Sequence, residues 1–441
     1  MKVLKFGGTS VGSAARMKHV AELTTKQTGK TLLVLSAVSG TTNSLVALSE
    51  AYYKEAYDVS GSLLASMKEK YTLHVDELYA TETYKQKAQA YLQSVFSLLG
   101  SFEGKPFQID DEKVVLAQGE LMSTHMMYYY LLETGFQPSM IPALDYMRTE
   151  EGEPDMPFIR ENLYALMNQY PDCTLYITQG YICRNEHGKI DNLLRGGSDY
   201  TASIVGAAVK AEEIQIWTDI DGMHNNDPRI VDKTYPVHEL SFEEAAELAY
   251  FGAKILHPSS VLPAQKENIP VRLLNTMDPE AQGTLIASAR NMVKKVTAVA
   301  AKDGIIAIKI RSSRMLLAYG FLRKVFEIFE KYKTPIDMIT TSEVAISLTI
   351  DNPTHLDKIL AELRYFGMVE HDMDQAIICV VGRFLQEDAL YAAKVMDALK
   401  HLPIRMISYG GSKYNISVLL HKDYKKQALQ LLNDAVFYGN N

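Results

Sequence analysis

A short apolar run, Val3-Leu4-Lys5-Phe6, breaks directly into Gly7-Gly8-Thr9-Ser10. A helical segment over 13–28 and a second apolar run over 31–35 follow. Strand, glycine turn, helix, strand is the rhythm of an α/β fold on a largely parallel sheet, and this constrains the N-terminal half more than any other feature. A lysine closing a buried strand is costly unless an anion meets it. Two glycines let the backbone approach such an anion and aim N–H groups at it, and the helix that follows adds its positive end. The pattern reads as a phosphate cradle with a fixed cation. It is not a P-loop, because GxxxxGK[ST] is absent. Taken alone, Gly7-Gly8 is equally an ordinary tight turn.

A second glycine pair stands in Leu193-Leu194-Arg195-Gly196-Gly197-Ser198-Asp199-Tyr200-Thr201-Ala202, ahead of a helix rich in small residues. Arg195 can fork onto a carboxylate or phosphate. Asp199 begins the helix, where an aspartate is also a common cap. Two glycine-pair anion sites in one chain suggest two anionic groups brought face to face, the geometry of phosphoryl transfer. Thr218-Asp219-Ile220-Asp221-Gly222 ends a strand expected over 214–217, where α/β sheets bind ligands, and Asn226-Asp227-Pro228-Arg229 forms a further turn. Glu120, beside Gly119, is expected at the start of an apolar helix, bound to an amine or merely favouring the helix dipole. Residues 45–100 read as helical. Ser241-Phe242-Glu243-Glu244 is a capping box opening another helix, which His257-Pro258 closes.

The composition narrows the function. Lys plus Arg number 45 against 53 Asp plus Glu, a formal charge of −8. A mildly acidic chain with no basic block is a poor ligand for nucleic acid or an anionic membrane. Cys173, Cys183 and Cys379 stand far apart, which excludes a disulfide framework or a CxxC site and suits a reducing cytoplasm. No apolar run approaches the ~18 residues of a membrane span, and the N-terminus does not read as a signal peptide. His19, His74, His238 and His257 lack metal-ligand spacing, and no GxGxxG occurs.

The pattern changes near 285–295, and a repeat begins. Pro335-Ile336-Asp337-Met338-Ile339-Thr340 matches Pro403-Ile404-Arg405-Met406-Ile407-Ser408, each preceded by a helical stretch and followed by a strand. A period of roughly 70 residues with this content indicates two copies of a small α+β module.

Together, in order, KFGGTSVG, GELMST, RGGSDYTA, WTD.DG…DPR and FGAKILHP resemble the aspartate kinases of the amino-acid kinase superfamily, most nearly their monofunctional, lysine-inhibited kind. The tail is similar to the paired ACT domains of that family. The resemblance implies a three-layer αβα kinase domain over 1–290 with a mainly parallel central sheet. Two ferredoxin-like βαββαβ ACT domains would follow over 304–374 and 375–441, the second completed by a strand over 296–301. It implies transfer of a phosphoryl group from ATP, carried with Mg²⁺, to the side-chain carboxylate of L-aspartate, with no dedicated protein metal site. Lys5 would neutralise the moving phosphoryl group, Gly7 and Gly8 would donate to it with Ser36 nearby, and Asp199 would organise the transfer. Arg195 would hold the substrate α-carboxylate and Glu120 its amine, with Thr42 and Ser198 completing the pocket. Thr218, Asp219, His224, Arg229 and Lys254 match nucleotide-binding positions. Met315, Gly320, Phe321, Asp337, Ser342 and Glu343 match an effector site expected to take lysine at an interface between subunits of a homodimer or a dimer of dimers. Asp337 would meet an ammonium group. Leu317 and Ala318 stand where lysine-sensitive relatives can carry His and Ser, and His224 replaces an expected Tyr. A kinase for glutamate or N-acetylglutamate, and a catalytically dead amino-acid sensor, are the competing readings.

Overall fold

The computed structural model describes residues 1–193, 196–252, 256–288, 296–315, 319–383 and 389–439. They form two compact units, one of Met1–Met223 with Leu256–Ser288, the other of His224–Ile255 with the remainder to the C-terminus.

In the first unit, β1 (Lys2–Phe6) lies between β2 (Thr31–Leu35) and the strand Glu213–Thr218, parallel to both. Leu175–Gln179 and then Ser139–Met140 continue the sheet in parallel beyond β2. On the other side Val271–Asn275 pairs in parallel with Glu213–Thr218, and Thr284–Ala287 runs antiparallel to Val271–Asn275. Val3, Leu4, Phe6 and Leu32 to Leu35 are buried, as a sheet covered on both faces requires. The register aligns the strand ends: Phe6 sits opposite both Leu35 and Trp217, and Leu35 opposite Gln179. Every turn leaving these ends therefore emerges on one edge of the sheet.

The helices α1 (Ala14–Thr25), α2 (Thr41–Tyr53), α3 (Tyr57–Leu78), α4 (Glu82–Gly100) and α5 (Ile109–Glu133) pack with this sheet in one apolar core. Ser13 caps α1 by accepting from the Arg16 N–H. The structure corrects the placement of Glu120. It lies deep inside α5, a helix of 25 residues, and not at a helix start. Gly119 is there for space: a Cβ on it would come within 2.8 Å of the Ala37 Cβ.

The second unit carries a sheet ordered Ile339–Thr341, Ala345–Ile350, Val296–Arg311, Met368–Gly382, Asn415–His421, Met406–Ser408. All these pairings are antiparallel. Val296–Arg311 serves two cores. Its first half, opposite 377–382, contributes Val296 and Val299 to a cluster with Ile378, Val380, Val395, Ile416 and Leu429. Its second half, opposite Ala345–Ile350, contributes Ile306, Ile308 and Ile310 to a cluster with Phe321, Val325, Ile346 and Leu360. The repeated hexapeptides occupy matching places. The Asp337 N–H donates to the Thr349 carbonyl, and the Arg405 N–H to the Leu419 carbonyl. The helix Phe242–Tyr250 opens on the expected capping box, with both reciprocal hydrogen bonds made.

Candidate active site

The turns at the strand ends enclose a cleft of about 470 Å³, lined by Gly8, Thr9, Ser36 to Gly40, Thr42, Asn43, Glu120, Tyr181, Gly197 and Ser198. Both glycine pairs thus reach one cavity. The first pair is shaped by its neighbours. The Gly7 N–H donates to the Trp217 carbonyl, and the Ser39 N–H to the Gly8 carbonyl. A Cβ on Gly8 would stand 2.8 Å from the Ala37 carbonyl oxygen, so no other residue fits. In the second pair Gly196 is left-handed (φ 71°), and a Cβ there would come within 2.8 Å of the Ser260 Cβ. His257 and Ser260 thus pack against this bend.

Lys5 and Asp199 join the two bends. The Lys5 ammonium lies 2.6 Å from Asp199 Oδ1, with both side chains largely shielded from water. The ammonium also lies 3.5 Å from where a Gly7 Cβ would be. A cation so placed is held in position by one acid and faces the backbone that would cradle a phosphoryl group.

Glu120 forms the opposite pole. It is 4 % exposed, and its Oε1 accepts a single 3.2 Å hydrogen bond from the Ala37 N–H. Among the described residues its Oε2 is buried with no hydrogen-bond partner. Burial pushes its pKa up to about 8, against the Ala37 hydrogen bond and the charge of Lys5. An acid held this way is arranged for a donor that the protein itself does not supply. The loop that contacts it is fixed from behind: Ser123 Oγ donates to the Ser36 carbonyl and Lys70 Nζ to the Ser39 carbonyl.

Of the residues expected here, Gly8, Ser36, Thr42, Glu120 and Ser198 line the cleft, and Lys5, Gly7 and Asp199 stand beside it. Arg195 and Lys254 lie outside the described residues, as do Leu317 and Ala318. Thr218 and Asp219 end their strand, with Thr218 Oγ1 donating to Asp219 Oδ1. His224 and Arg229 belong to the other compact unit. There the Arg229 guanidinium forks onto Asp227, which holds the Asp227 carboxyl below its usual range. Tyr181 lines the cleft but was not anticipated. It follows Gly180 at a strand end, and its backbone is left-handed (φ 66°) with its N–H on Thr201 Oγ1. A non-glycine residue in that conformation, just past a strand, is the kind of strain found at sites, but sequence alone does not display it.

In the second unit the residues matched to an effector site gather around the first repeat. Gly320 is left-handed (φ 78°) and caps the helix Phe321–Lys331, with Phe321 buried and Met315 half-buried. The Ser342 N–H closes the turn onto the Ala345 carbonyl, leaving Glu343 exposed. Asp337 does meet an ammonium group, but one from within the chain: Lys302 Nζ, at 2.6 Å. Burial raises the Asp337 carboxyl above its ordinary range although Lys302 pulls it down. Among the described residues no cluster of His, Cys, Asp or Glu has the makings of a metal site, and no helix is long and apolar enough to cross a membrane.

Comparison with known proteins identifies the family. The amino acid kinase family model matches residues 1–275, and an ACT domain model matches residues 378–436. Aspartokinase 1, chloroplastic, of Arabidopsis thaliana is 34% identical over 460 residues, covering 99% of this chain and 80% of the relative. Lysine-sensitive aspartokinase 3 of Escherichia coli is 32% identical over 451 residues, covering 99% of each. The crystal structure of E. coli aspartokinase III in complex with aspartate and ADP superposes with a TM-score of 0.85 at 31% identity, over 99% of this chain and 100% of that one. The same enzyme in complex with lysine and aspartate gives 0.84 at 32%, over 99% of both. The chain belongs to the amino acid kinase family and, within it, to the aspartokinases.

Proposed function

We propose that the chain transfers the γ-phosphoryl group of ATP, bound as its Mg²⁺ complex, to the side-chain carboxylate of L-aspartate, giving 4-phospho-L-aspartate and ADP. What supports this reading is one cleft lined by a glycine from each bend and by Glu120, with the Lys5–Asp199 ion pair beside it. The nucleophile is already ionised at neutral pH, so no general base is needed. What remains is to set two anions in line and cancel their repulsion. Lys5 takes the charge of the moving phosphoryl group and the Gly8 N–H holds one of its oxygens, while Gly7, whose own N–H is on the Trp217 carbonyl, lets the phosphoryl group come close to Lys5. Asp199 keeps Lys5 in place, and Glu120 receives the substrate ammonium. Thr42 and Ser198 complete the pocket, Ser36 stands near the phosphoryl group, and Arg195 takes the α-carboxylate. Thr218, Asp219, His224, Arg229 and Lys254 serve the nucleotide. ATP-dependent hydroxamate formation tests the reading. Product is expected from aspartate and not from glutamate or N-acetylglutamate. Product from glutamate alone would overturn the substrate, and none from any acid would favour a sensor.

The C-terminal modules serve feedback by free lysine, received by Met315, Gly320, Phe321, Asp337, Ser342 and Glu343. Leu322, Phe326, Ile339 and Val344 expose apolar surface on the first module, which suits pairing with a second copy in a homodimer or a dimer of dimers. Lysine would act by favouring a conformation that binds substrates poorly. We place the enzyme in the cytoplasm, at the entry to the aspartate-derived amino acids.

A further inference from the structure

Asp337 sits at the centre of a closed cluster. Its side chain is 1 % exposed. Its Oδ1 accepts from Lys302 Nζ at 2.6 Å and from the Tyr250 hydroxyl at 2.8 Å. Lys302 Nζ also lies 2.9 Å from Asp351 Oδ2 and 4.4 Å from the centre of the Tyr250 ring. The other Asp337 oxygen, Oδ2, is buried without a hydrogen-bond partner among the described residues. One oxygen is therefore doubly used while its twin is empty, a state a packed interior rarely tolerates without a use.

Tyr250 is the last residue of the helix Phe242–Tyr250, which lies within the segment matched by the amino acid kinase model. That helix is tied to the ACT modules at each turn. Glu244 accepts from Arg383 Nε and from Thr297 Oγ1. Glu247 accepts from Ser412 Oγ and Asn415 Nδ2. Beyond Tyr250, Gly252 (φ 134°) lies so close to the strand that a Cβ would meet the Ala301 carbonyl oxygen at 2.1 Å. Among the described residues the Glu244 and Glu247 carboxylates use both oxygens, whereas the tie at Tyr250 ends on an acid with an open oxygen.

We propose that Tyr250 and Lys302 form a relay between the effector acid Asp337 and the helix Phe242–Tyr250, with Lys302 acting as a tethered ammonium that an incoming amino-acid ammonium must work against. The inference rests on the effector reading above and deepens it. An ammonium arriving at Oδ2 puts a second cation on one carboxylate. Asp351, already in contact, offers Lys302 another seat. As Lys302 shifts, the cation over the Tyr250 ring is lost and the shared hydrogen bond to Oδ1 is re-divided, so the end of the helix changes its tie to the regulatory sheet. Tyr250 is thus a positioning residue that acts through Asp337.

The test uses the full chain, with L-lysine as the probe, calorimetry for binding and ATP-dependent hydroxamate formation for inhibition. Inhibition is read as a fraction of each enzyme's own uninhibited rate. Tyr250→Phe removes only the hydroxyl. It is expected to shift the dissociation constant for lysine less than threefold while raising the half-inhibitory concentration at least tenfold. Lys302→Met removes the competing ammonium and is expected to tighten lysine binding at least threefold. If lysine binds and inhibits Tyr250→Phe as it does the parent, the relay is wrong and the effector site stands. If lysine binding is unchanged in Lys302→Met, the tethered ammonium is wrong. If the parent chain binds no lysine, the effector reading fails first and the relay falls with it.

Discussion

Two buried glutamates, one in each compact unit, look alike by type, helical setting and burial, and differ in what surrounds them. Glu244 in the second unit is fully buried and fully employed. Its Oε2 accepts from the Ser241 N–H and from Arg383 Nε, both at 2.8 Å, and its Oε1 accepts from Thr297 Oγ1. Among the described residues Glu120 in the first unit has one 3.2 Å hydrogen bond, and one oxygen is left without any. The first is a structural rivet, whose charge is cancelled from within. The second is an acid held in reserve for a ligand, and the cost of ionising it there appears in its raised pKa. Burial alone does not mark a site; burial with an unmet hydrogen-bonding capacity does.

Four experiments would break or sharpen this contrast. The largest effect is expected where the cleft's own cation is removed. Lys5→Ala should lower kcat by about 10³-fold or more with the fold retained, since a preorganised charge on the reacting group is worth at least a few kcal/mol. An unchanged turnover would take Lys5 out of the site. On the structural side, Arg383→Met strands the Glu244 carboxylate and should cost about 3–5 kcal/mol in denaturant unfolding, with the KM for aspartate nearly unmoved. A stability equal to the parent's would mean that Glu244 is no rivet. Glu120→Gln should do the reverse. Its KM for aspartate should rise about 10–100-fold, the worth of a hydrogen bond to a charged group, while stability holds or increases. A large loss of stability would make the two glutamates alike after all.

The smallest effect is a pH profile. With the Glu120 pKa near 8, the folded apo-protein keeps a proton that the unfolded chain releases near its ordinary 4.5. Stability from this group is therefore greatest at low pH and declines as pH rises between those values. Binding of the substrate ammonium has the opposite sign, because it needs the carboxylate. Apparent affinity for aspartate should rise by up to tenfold per pH unit towards 8 and level off above it. The slope should vanish in Glu120→Gln, and a slope that persists there would assign the titration to another group.

The sequence displays these two glutamates unequally, and the reason is range. Ser241 and Glu244 are three apart, so the capping box was legible. Arg383 is 139 residues away, and nothing local announces it. Glu120 was identified as an amine ligand from its motif but misplaced at a helix start. Gly119 suggests a break, whereas in the fold it clears room for Ala37, a contact made across the sheet edge. The strands and glycine bends were legible because apolar runs and glycine pairs are local signals. Tyr181 was not, because a left-handed tyrosine carries no mark in its neighbours. The duplicated module was visible as a repeat. Yet the repeat does not show that Asp337 in one copy holds the Lys302 ammonium while its counterpart Arg405 spends its charge on Asp372.

The strand Val296–Arg311 bears on how this protein can be divided. A fragment beginning at 375 would lack the strand that lies beside 377–382, and one ending at 374 would carry that strand with no mate for its first half. Neither module is a separable cassette. The pair is threaded like two beads on one wire, so exchanging regulatory halves between relatives must transplant everything from that wire onward, and a swap made at the midpoint between the repeats should yield insoluble halves.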